Sequence, residues 1–181
     1  MSISIDDRIS LFCECFGDTR EEVLKFFSCS DIINVSICKE DRLVSMASLV
    51  PILAPENNIL GYYIYGVCVA PDMRGKGLFR EIMQLSEYEA KSKGASFVCL
   101  IPADASLAET YKKMGYTIPV SQKNERIGAK GITLISNEFR EFAKSASIEM
   151  PQQKGLLKVL NENEFNPCNE KLCFLDDMGD V

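Results

Sequence analysis

The amino-acid sequence predicts an α/β (α+β) fold, a mixed sheet flanked by helices. Three observations carry that expectation. Between Gly61 and Val120 the apolar pattern switches between strand-like runs and helical spacing, in the order strand, loop, helix, strand, helix, strand. The 181 residues are 46% hydrophobic and 25% charged, the balance of an ordinary globular domain. A chain of this length buries roughly 70% of its unfolded surface and needs no disulfide or metal to hold a core. No internal repeat and no low-complexity segment breaks the pattern.

Asp6 or Asp7 is placed to cap a first helix that carries Ile9, Phe12 and Phe16 on one face. Gly17-Asp18-Thr19 ends it and opens a second, where Thr19 and Glu22 have capping-box spacing ahead of Val23, Leu24, Phe26 and Phe27. Ile32 to Cys38 alternates and is rich in β-branched residues, Glu40-Asp41 reads as a turn, and Leu43 to Leu53 as the partner strand. After a loop at Pro55, Asn57 and Asn58, the run from Gly61 to Val69 is apolar and aromatic on both faces, as a central strand requires. Leu78 to Lys93 sets Leu78, Ile82, Leu85 and Tyr88 or Glu89 at helical spacing. Lys91 and Lys93 suit its C-terminal dipole, and Gly94 supplies a left-handed stop. Phe97 to Ile101 is a short strand, Ala105 to Met114 a helix closed by Gly115, and Tyr116 to Val120 another strand. Ile132 to Ile135 reads as one more strand, and Asn137 to Ala146 as a helix capped by Asn137 with Phe139 and Phe142 inward. Residues 1–150 are read as the domain and 151–181 as an acidic C-terminal extension, with a strand at Leu156 to Leu160 and its packing left open.

The formal net charge is −6. Over the last 21 residues six acidic side chains, from Glu162 to Asp180, face only Lys171, which puts most of that charge at the end and leaves a near-neutral body. Wholesale nucleic-acid binding is disfavoured, since a phosphate-tracking surface needs a clustered cationic excess. The longest apolar stretch, near Ile59 to Ala70, is too short and too rich in tyrosine to span a membrane. The start of the chain lacks the basic and apolar segments of a secretory signal, so a cytoplasmic protein is expected. Eight cysteines without a Cys-x-x-Cys pair read as reduced thiols, mostly small buried hydrophobes. The absence of histidine removes mixed Cys/His metal sites and every Ser-His or Cys-His arrangement; no metal is expected.

The informative stretch is Val67-Cys68-Val69-Ala70-Pro71-Asp72-Met73-Arg74-Gly75-Lys76-Gly77-Leu78, a central strand running into a glycine loop that opens a helix. The first amides of a helix lack intrahelical acceptors and sit at the positive end of the dipole. Gly75 and Gly77 let them approach an anion, while Arg74 and Lys76 add formal charge, which makes a pyrophosphate cradle. It is not a Walker loop, because Lys76 is followed by Gly77, and not the dinucleotide fingerprint, because Arg80 stands at the third glycine. The bland alternative is a basic surface turn.

Val-x-Val-x-Pro-x-x-Arg-Gly-x-Gly, from Val67 to Gly77, resembles the acyl-CoA loop of the GNAT superfamily of N-acetyltransferases. Tyr111-Lys112-Lys113-Met114-Gly115-Tyr116 is similar to that family's Tyr-x-Lys-x-Gly-Phe/Tyr segment, at a suitable distance. The resemblance covers Ile9 to Val120. It implies a mixed, twisted sheet in which two parallel strands splay apart to admit a pantetheine arm. Acetyl-CoA is then the cosubstrate, held by Val67, Cys68, Val69, Arg74, Gly75, Lys76, Gly77, Leu78 and Phe79. The tyrosine-rich strand (Tyr62, Tyr63, Tyr65, Gly66) and Leu100-Ile101-Pro102-Ala103 resemble a bacterial subgroup of unknown substrate. Two positions depart from the family pattern: Phe79 stands where Gly or Ala is usual, and Asp104 where many members carry Asn.

The implied reaction is attack of a neutral primary amine on the thioester carbonyl, through a tetrahedral intermediate. Backbone N–H groups around Cys68 and Val69 are the expected oxyanion donors, and the resemblance assigns Tyr111 the general-acid role toward the departing thiolate. Tyr111 equally suits a core aromatic at helical spacing with Leu107 and Met114. For the base, Glu56, Tyr62, Tyr63 and Tyr65 are candidates by position alone, and Cys68 is read as a packed residue rather than a nucleophile. The expected partner is a small-molecule or peptide amine, with no nucleic acid and no membrane; relatives that pair through sheet edges leave a homodimer open. The competing reading is a catalytically weak acyl-CoA-binding or sensing module. A nucleic-acid binder using Arg74, Lys76, Lys112 and Lys113 is a third and disfavoured one.

Overall fold

A computed structural model describes residues 3–54, 58–121, 130–145, 154–167 and 171–174. Helix α1 (Ile5–Phe16) starts at Ser4, whose hydroxyl accepts from the Asp7 amide while the Asp7 carboxylate accepts from the Ser4 amide. The cap is therefore Ser4, and Asp7, expected to be the cap, is the third residue of the box; a carboxylate there serves both the box and the dipole. Helix α2 (Arg20–Phe27) has the Thr19–Glu22 box that the spacing predicts. Strands β1 (Ile33–Lys39) and β2 (Arg42–Ala54) form a hairpin whose turn residues Glu40 and Asp41 both have positive φ, 49° and 61°. Strand β3 (Ile59–Val69) follows, then a short 3₁₀ turn (Pro71–Met73) and helix α3 (Leu78–Ser92). Next come β4 (Phe97–Leu100), α4 (Ala105–Lys113), β5 (Ile118–Ser121), β6 (Lys130–Leu134), α5 (Asn137–Ser145), β7 (Gly155–Val159) and β8 (Leu172–Phe174).

The eight strands form one sheet in the order β1-β2-β3-β4-β7-β5-β8-β6. The far end of β2 also pairs with β6, at Ile52–Leu134 and Leu53–Thr133, so the ladder returns upon itself. Strands from beyond residue 151 are thus built into the sheet: β7 lies antiparallel between β4 and β5, and β8 parallel between β5 and β6. One side of β3 (Tyr63, Tyr65, Cys68) packs with α1, α2 and α5 in an aromatic core that includes Phe12, Phe26 and Phe139. The other side (Tyr62, Ile64, Val69) packs under α3 and α4.

Two helical faces differ from their predicted form. In α3 the buried residues are Leu78, Ile82, Met83, Ser86 and Ala90, while Leu85 is 39% and Tyr88 73% exposed. Ser86 can be inside because its hydroxyl donates to the Ile82 carbonyl, 2.8 Å away, which frees the buried stripe from strict apolarity. At α5 the capping side chain is Ser136, whose hydroxyl accepts from the Phe139 amide at 2.9 Å, one residue before the predicted Asn137. Glu56, Cys168 and the acidic residues Glu170, Asp176, Asp177 and Asp180 lie outside the described residues. Among the described residues no helix is long and apolar enough to cross a membrane.

Candidate functional site

Strand β3 pairs in parallel with β4 over only three positions, Gly61–Phe97, Tyr62–Val98 and Tyr63–Cys99. It then runs on to Val69 without β4 beside it, and a cleft opens between the two strands. On its other edge β3 carries a bulge: Ser48 pairs Tyr65 and Met46 pairs Cys68, so Ala47 alone opposes Gly66 and Val67. Gly66 has φ +60°, and a Cβ there would lie 2.5 Å from the Phe12 ring. The bulge also resets the alternation, so that Cys68 shares the face of Tyr65.

Around Val69 the chain is held by polar contacts to backbone oxygens and by one ion pair. The Ser45 hydroxyl donates to the Cys68 carbonyl at 2.8 Å. The Val69 carbonyl accepts from both the Arg74 Nε, 3.3 Å, and the Cys15 Sγ of α1, 3.5 Å. Arg42 grips Asp72 through two nitrogens, at 2.7 and 2.9 Å. Gly75 (φ +75°) and Gly77 (φ +81°) then take left-handed conformations with nothing within 4 Å of where a Cβ would stand. Gly77 is the N-cap of α3 and offers no side-chain cap, so the first amides of that helix are left to an external partner.

The facing wall comes from α4. Asp104 caps it, its carboxylate accepting from the Leu107 amide at 2.8 Å. At the other end Gly115 (φ +95°) sends its amide to Lys112 O, and Tyr116 sends its amide to Tyr111 O. This is the Schellman pattern, with the accompanying ring contact between Tyr111 and Tyr116 at 5.8 Å. Tyr116 is anchored in turn by donating to Glu87 of α3 (3.0 Å), which is paired with Lys158 of β7 at 2.7 Å. Tyr111 therefore has a position fixed from both sides. It is 6% exposed, packs its ring tilted against Phe79 with centroids 5.5 Å apart, and its hydroxyl has no hydrogen-bond partner among the described residues. Burial pushes its ionisation well above the usual phenol range, so it is protonated at neutral pH.

Between these walls lies a cavity of about 560 Å³, lined by Phe16, Val67, Arg74, Gly77, Phe79 and Tyr111 with several neighbours. A smaller one of about 90 Å³ continues from it past Tyr63, Tyr65, Gly66 and Leu100, again with Tyr111 on its wall. Of the sequence-predicted residues, Val67, Cys68, Val69, Arg74, Gly75, Gly77, Leu78, Phe79 and Tyr111 all line the larger cavity. Lys76 does not: its ammonium lies 3.2 Å from the Met73 sulfur on the exposed side of the loop. Among the tyrosines offered as bases, Tyr63 and Tyr65 reach the smaller cavity, whereas Tyr62 is on the α3 side of β3. Cys15, Phe16, Met73 and Leu107 also line the larger cavity and were not singled out from the sequence. Nothing local marks Cys15, because its partner Val69 is 54 positions away. Neither cavity has a carboxylate among its described lining residues. No group of three or more Cys, Asp or Glu among the described residues could hold a metal ion.

A family model described as an acetyltransferase (GNAT) domain matches residues 3–118. Among solved structures, the chain is similar to a GNAT family N-acetyltransferase from Escherichia coli in complex with CoA. That likeness has 10% identity and a TM-score of 0.65, over 96% of this chain and 84% of the other. It is also similar to an aminoglycoside 6'-acetyltransferase type Ii, at 19% identity and a TM-score of 0.56, over 86% and 88% of the two chains. The ribosomal-protein-S18-alanine N-acetyltransferase from Escherichia coli has 11% identity and a TM-score of 0.55, over 92% and 97%. None of the curated protein sequences compared with the chain matches it.

Proposed function

The chain belongs to the GNAT acetyltransferase family, and from that premise we propose that it moves an acetyl group from acetyl-CoA to a primary amine by direct attack. One observation carries the reading. Strand β3 loses β4 after Tyr63 and continues, alone on that edge, into a glycine loop at an uncapped helix N-terminus. The backbone groups along Ile64–Val69 face a cleft with room for an extended amide-bearing chain, and the loop at its end suits a diphosphate.

Bound acetyl-CoA supplies an activated thioester carbonyl. The amides of the Gly75–Phe79 segment would hold the diphosphate, with Arg74 adding charge from a side chain already oriented by Val69 O. The bulge at Gly66 and Val67 would turn strand amides into the cleft as oxyanion donors. The Tyr111 hydroxyl, neutral and without a hydrogen-bond partner among the described residues, suits a proton donor to a departing thiolate. Asp104 occupies its position as a helix cap, and Phe79 packs on Tyr111; both departures from the family pattern thus have structural work at this site. Similar structures include an aminoglycoside acetyltransferase, a ribosomal-protein-alanine acetyltransferase and a glucosamine-6-phosphate acetyltransferase from Arabidopsis thaliana, which supports an amine acceptor.

The lack of a carboxylate in the described lining favours one competing reading, a module that binds acyl-CoA without turning it over. One assay separates them. Release of free thiol from acetyl-CoA is followed with a panel of amines, amino acids and peptides, and the product is identified by mass spectrometry. Amine-dependent thiol release supports the enzyme; CoA binding without release under any acceptor supports the sensor.

A further inference from the structure

Cys15 stands at an unusual junction. Its thiol lies on the wall of the larger cavity, half-buried, on the last turn of α1. It donates to the Val69 carbonyl, the same oxygen that orients Arg74. Cys68 lines the same cavity from β3, and Tyr111, 6% exposed and with its hydroxyl unpaired among the described residues, lies on its opposite wall. The site thus combines a nucleophile, a guanidinium beside it, an adjoining helix N-terminus and space for a ligand. We propose that Cys15 is a thiol-exchange site that takes small anionic disulfides and, once modified, blocks the acyl-CoA cavity.

The electrostatics agree with the geometry. The neighbouring Cys68 thiol, and then the Arg74 guanidinium, favour the Cys15 thiolate enough to outweigh its burial and the opposing charge of Glu14, and bring the thiol down to about 7. Cys68, more deeply buried and beside the incipient thiolate, goes up instead, so Cys15 is the member of the pair that ionises. In the step, the Cys15 thiolate attacks one sulfur of R–S–S–R. A new S–S bond forms between Cys15 and one half, the old one breaks, and the other half leaves as a thiolate. The protein thiol is oxidised and one half of the small disulfide is reduced. Arg74 and the amides of the α3 N-terminus favour an anionic R group over a cationic one. Modification removes the hydrogen donor from Val69 O and puts bulk beside Arg74.

The test uses the full-length reduced protein with Cys38, the exposed thiol among the described residues, replaced by serine. Its reaction with the anionic disulfide dithionitrobenzoate and with cationic cystamine is followed by rate and by peptide mapping. A thiol at about 7 instead of the ordinary 9.0 has a roughly 50-fold larger thiolate fraction at neutral pH, partly offset by lower nucleophilicity, for a net gain of about five- to tenfold. The expected result is a fast phase mapped to Cys15, with a pH midpoint near 7, faster for dithionitrobenzoate than for cystamine. Cys15→Ser abolishes that phase, and Arg74→Gln slows it and raises the midpoint. Saturating CoA protects Cys15, an arm that rests on the proposed acyl-CoA reading. Labelling elsewhere first, or a midpoint at ordinary thiol values, overturns the site. CoA binding without protection overturns its link to the cavity. Fast labelling of Cys15 in a protein that binds no CoA supports the thiol site and overturns the acyl-CoA reading instead.

Discussion

Replacing Gly66 by alanine tests the β3 bulge, on which the geometry of the cleft depends. Two costs are readable. Gly66 has φ +60°, and an L side chain in the left-handed region costs about 1–2 kcal/mol. The new Cβ would also stand 2.5 Å from Phe12 Cε2, well inside van der Waals contact. Phe12 has no room to retreat: it is 3% exposed, with Phe16 at 4.5 Å and Phe26 and Phe27 at 5.8 Å between ring centres. Overpacking of this kind costs roughly 1–3 kcal/mol, for a total of about 2–5 kcal/mol. In a domain of this size that lowers Tm by roughly 5–15 °C. The control is Gly17→Ala, at φ +82° with nothing within 4 Å, which has the backbone cost alone. Both are measured by far-ultraviolet circular dichroism in urea and heat. Adding Phe12→Leu to Gly66→Ala should recover part of the difference, whereas adding it to Gly17→Ala should not. If Gly66→Ala and Gly17→Ala are equally stable, Phe12 is not pressed on the bulge and the argument for a rigid cleft edge fails.

Four further outcomes are expected. Tyr111→Phe should lower kcat by roughly 10²–10⁴-fold with little change in CoA affinity measured by calorimetry; equal loss in both would make Tyr111 a binding residue. Arg74→Gln should weaken CoA binding by about tenfold in dilute buffer and by less in high salt, since the side chain is exposed and such contacts are screened. Glu87→Gln should cost about 1–3 kcal/mol in urea unfolding, because it leaves Lys158 without its partner and weakens the acceptor of Tyr116. Burial pushes the Cys29 thiol up to about 11. The neutral form is favoured when folded, so this contribution is complete below the unfolded thiol value and is lost as pH rises toward 11. Cys29→Ala should flatten the fall in stability across that alkaline window.

What the sequence made legible was local. The Thr19–Glu22 box, the Glu40-Asp41 turn and the left-handed stops at Gly94 and Gly115 depend on residues within a few positions of one another, and all are present. The glycine loop after β3 belongs to the same class, since a strand, two glycines and a helix start are consecutive. The misplacements have equally local causes. Asp6, Asp7 and Asn137 are good caps one to three residues from the serines that do the capping, and propensity alone does not separate them. Leu85 and Tyr88 continue the helical stripe of α3, but the sheet beneath takes the stripe through Met83, Ser86 and Ala90 instead. Cys15 and Phe16 join the cavity only through contacts between α1 and the end of β3, which no spacing rule reaches.

The cleft itself depends on the part of the chain that the sequence marks least. Strand β4 has four residues, and β3 binds only three of them, so β4 would be poorly held at the end where the strands part. What holds it is β7, paired along the whole of β4 from Phe97–Val159 to Leu100–Leu156. That pairing has no slack. A Cβ on Gly155, the residue preceding Leu156, would meet the Phe174 ring of β8 at 2.6 Å and the Leu100 carbonyl at 3.3 Å. Leu100 thus keeps a ladder partner in β7 where β3 has parted from it, so β4 is held in the sheet at the end where the gap opens. The glycine loop explains how an anion could be held, but the β4 wall of the opening that leads to it is held in place by β7, from beyond residue 154. A family match ending at residue 118 leaves those strands out.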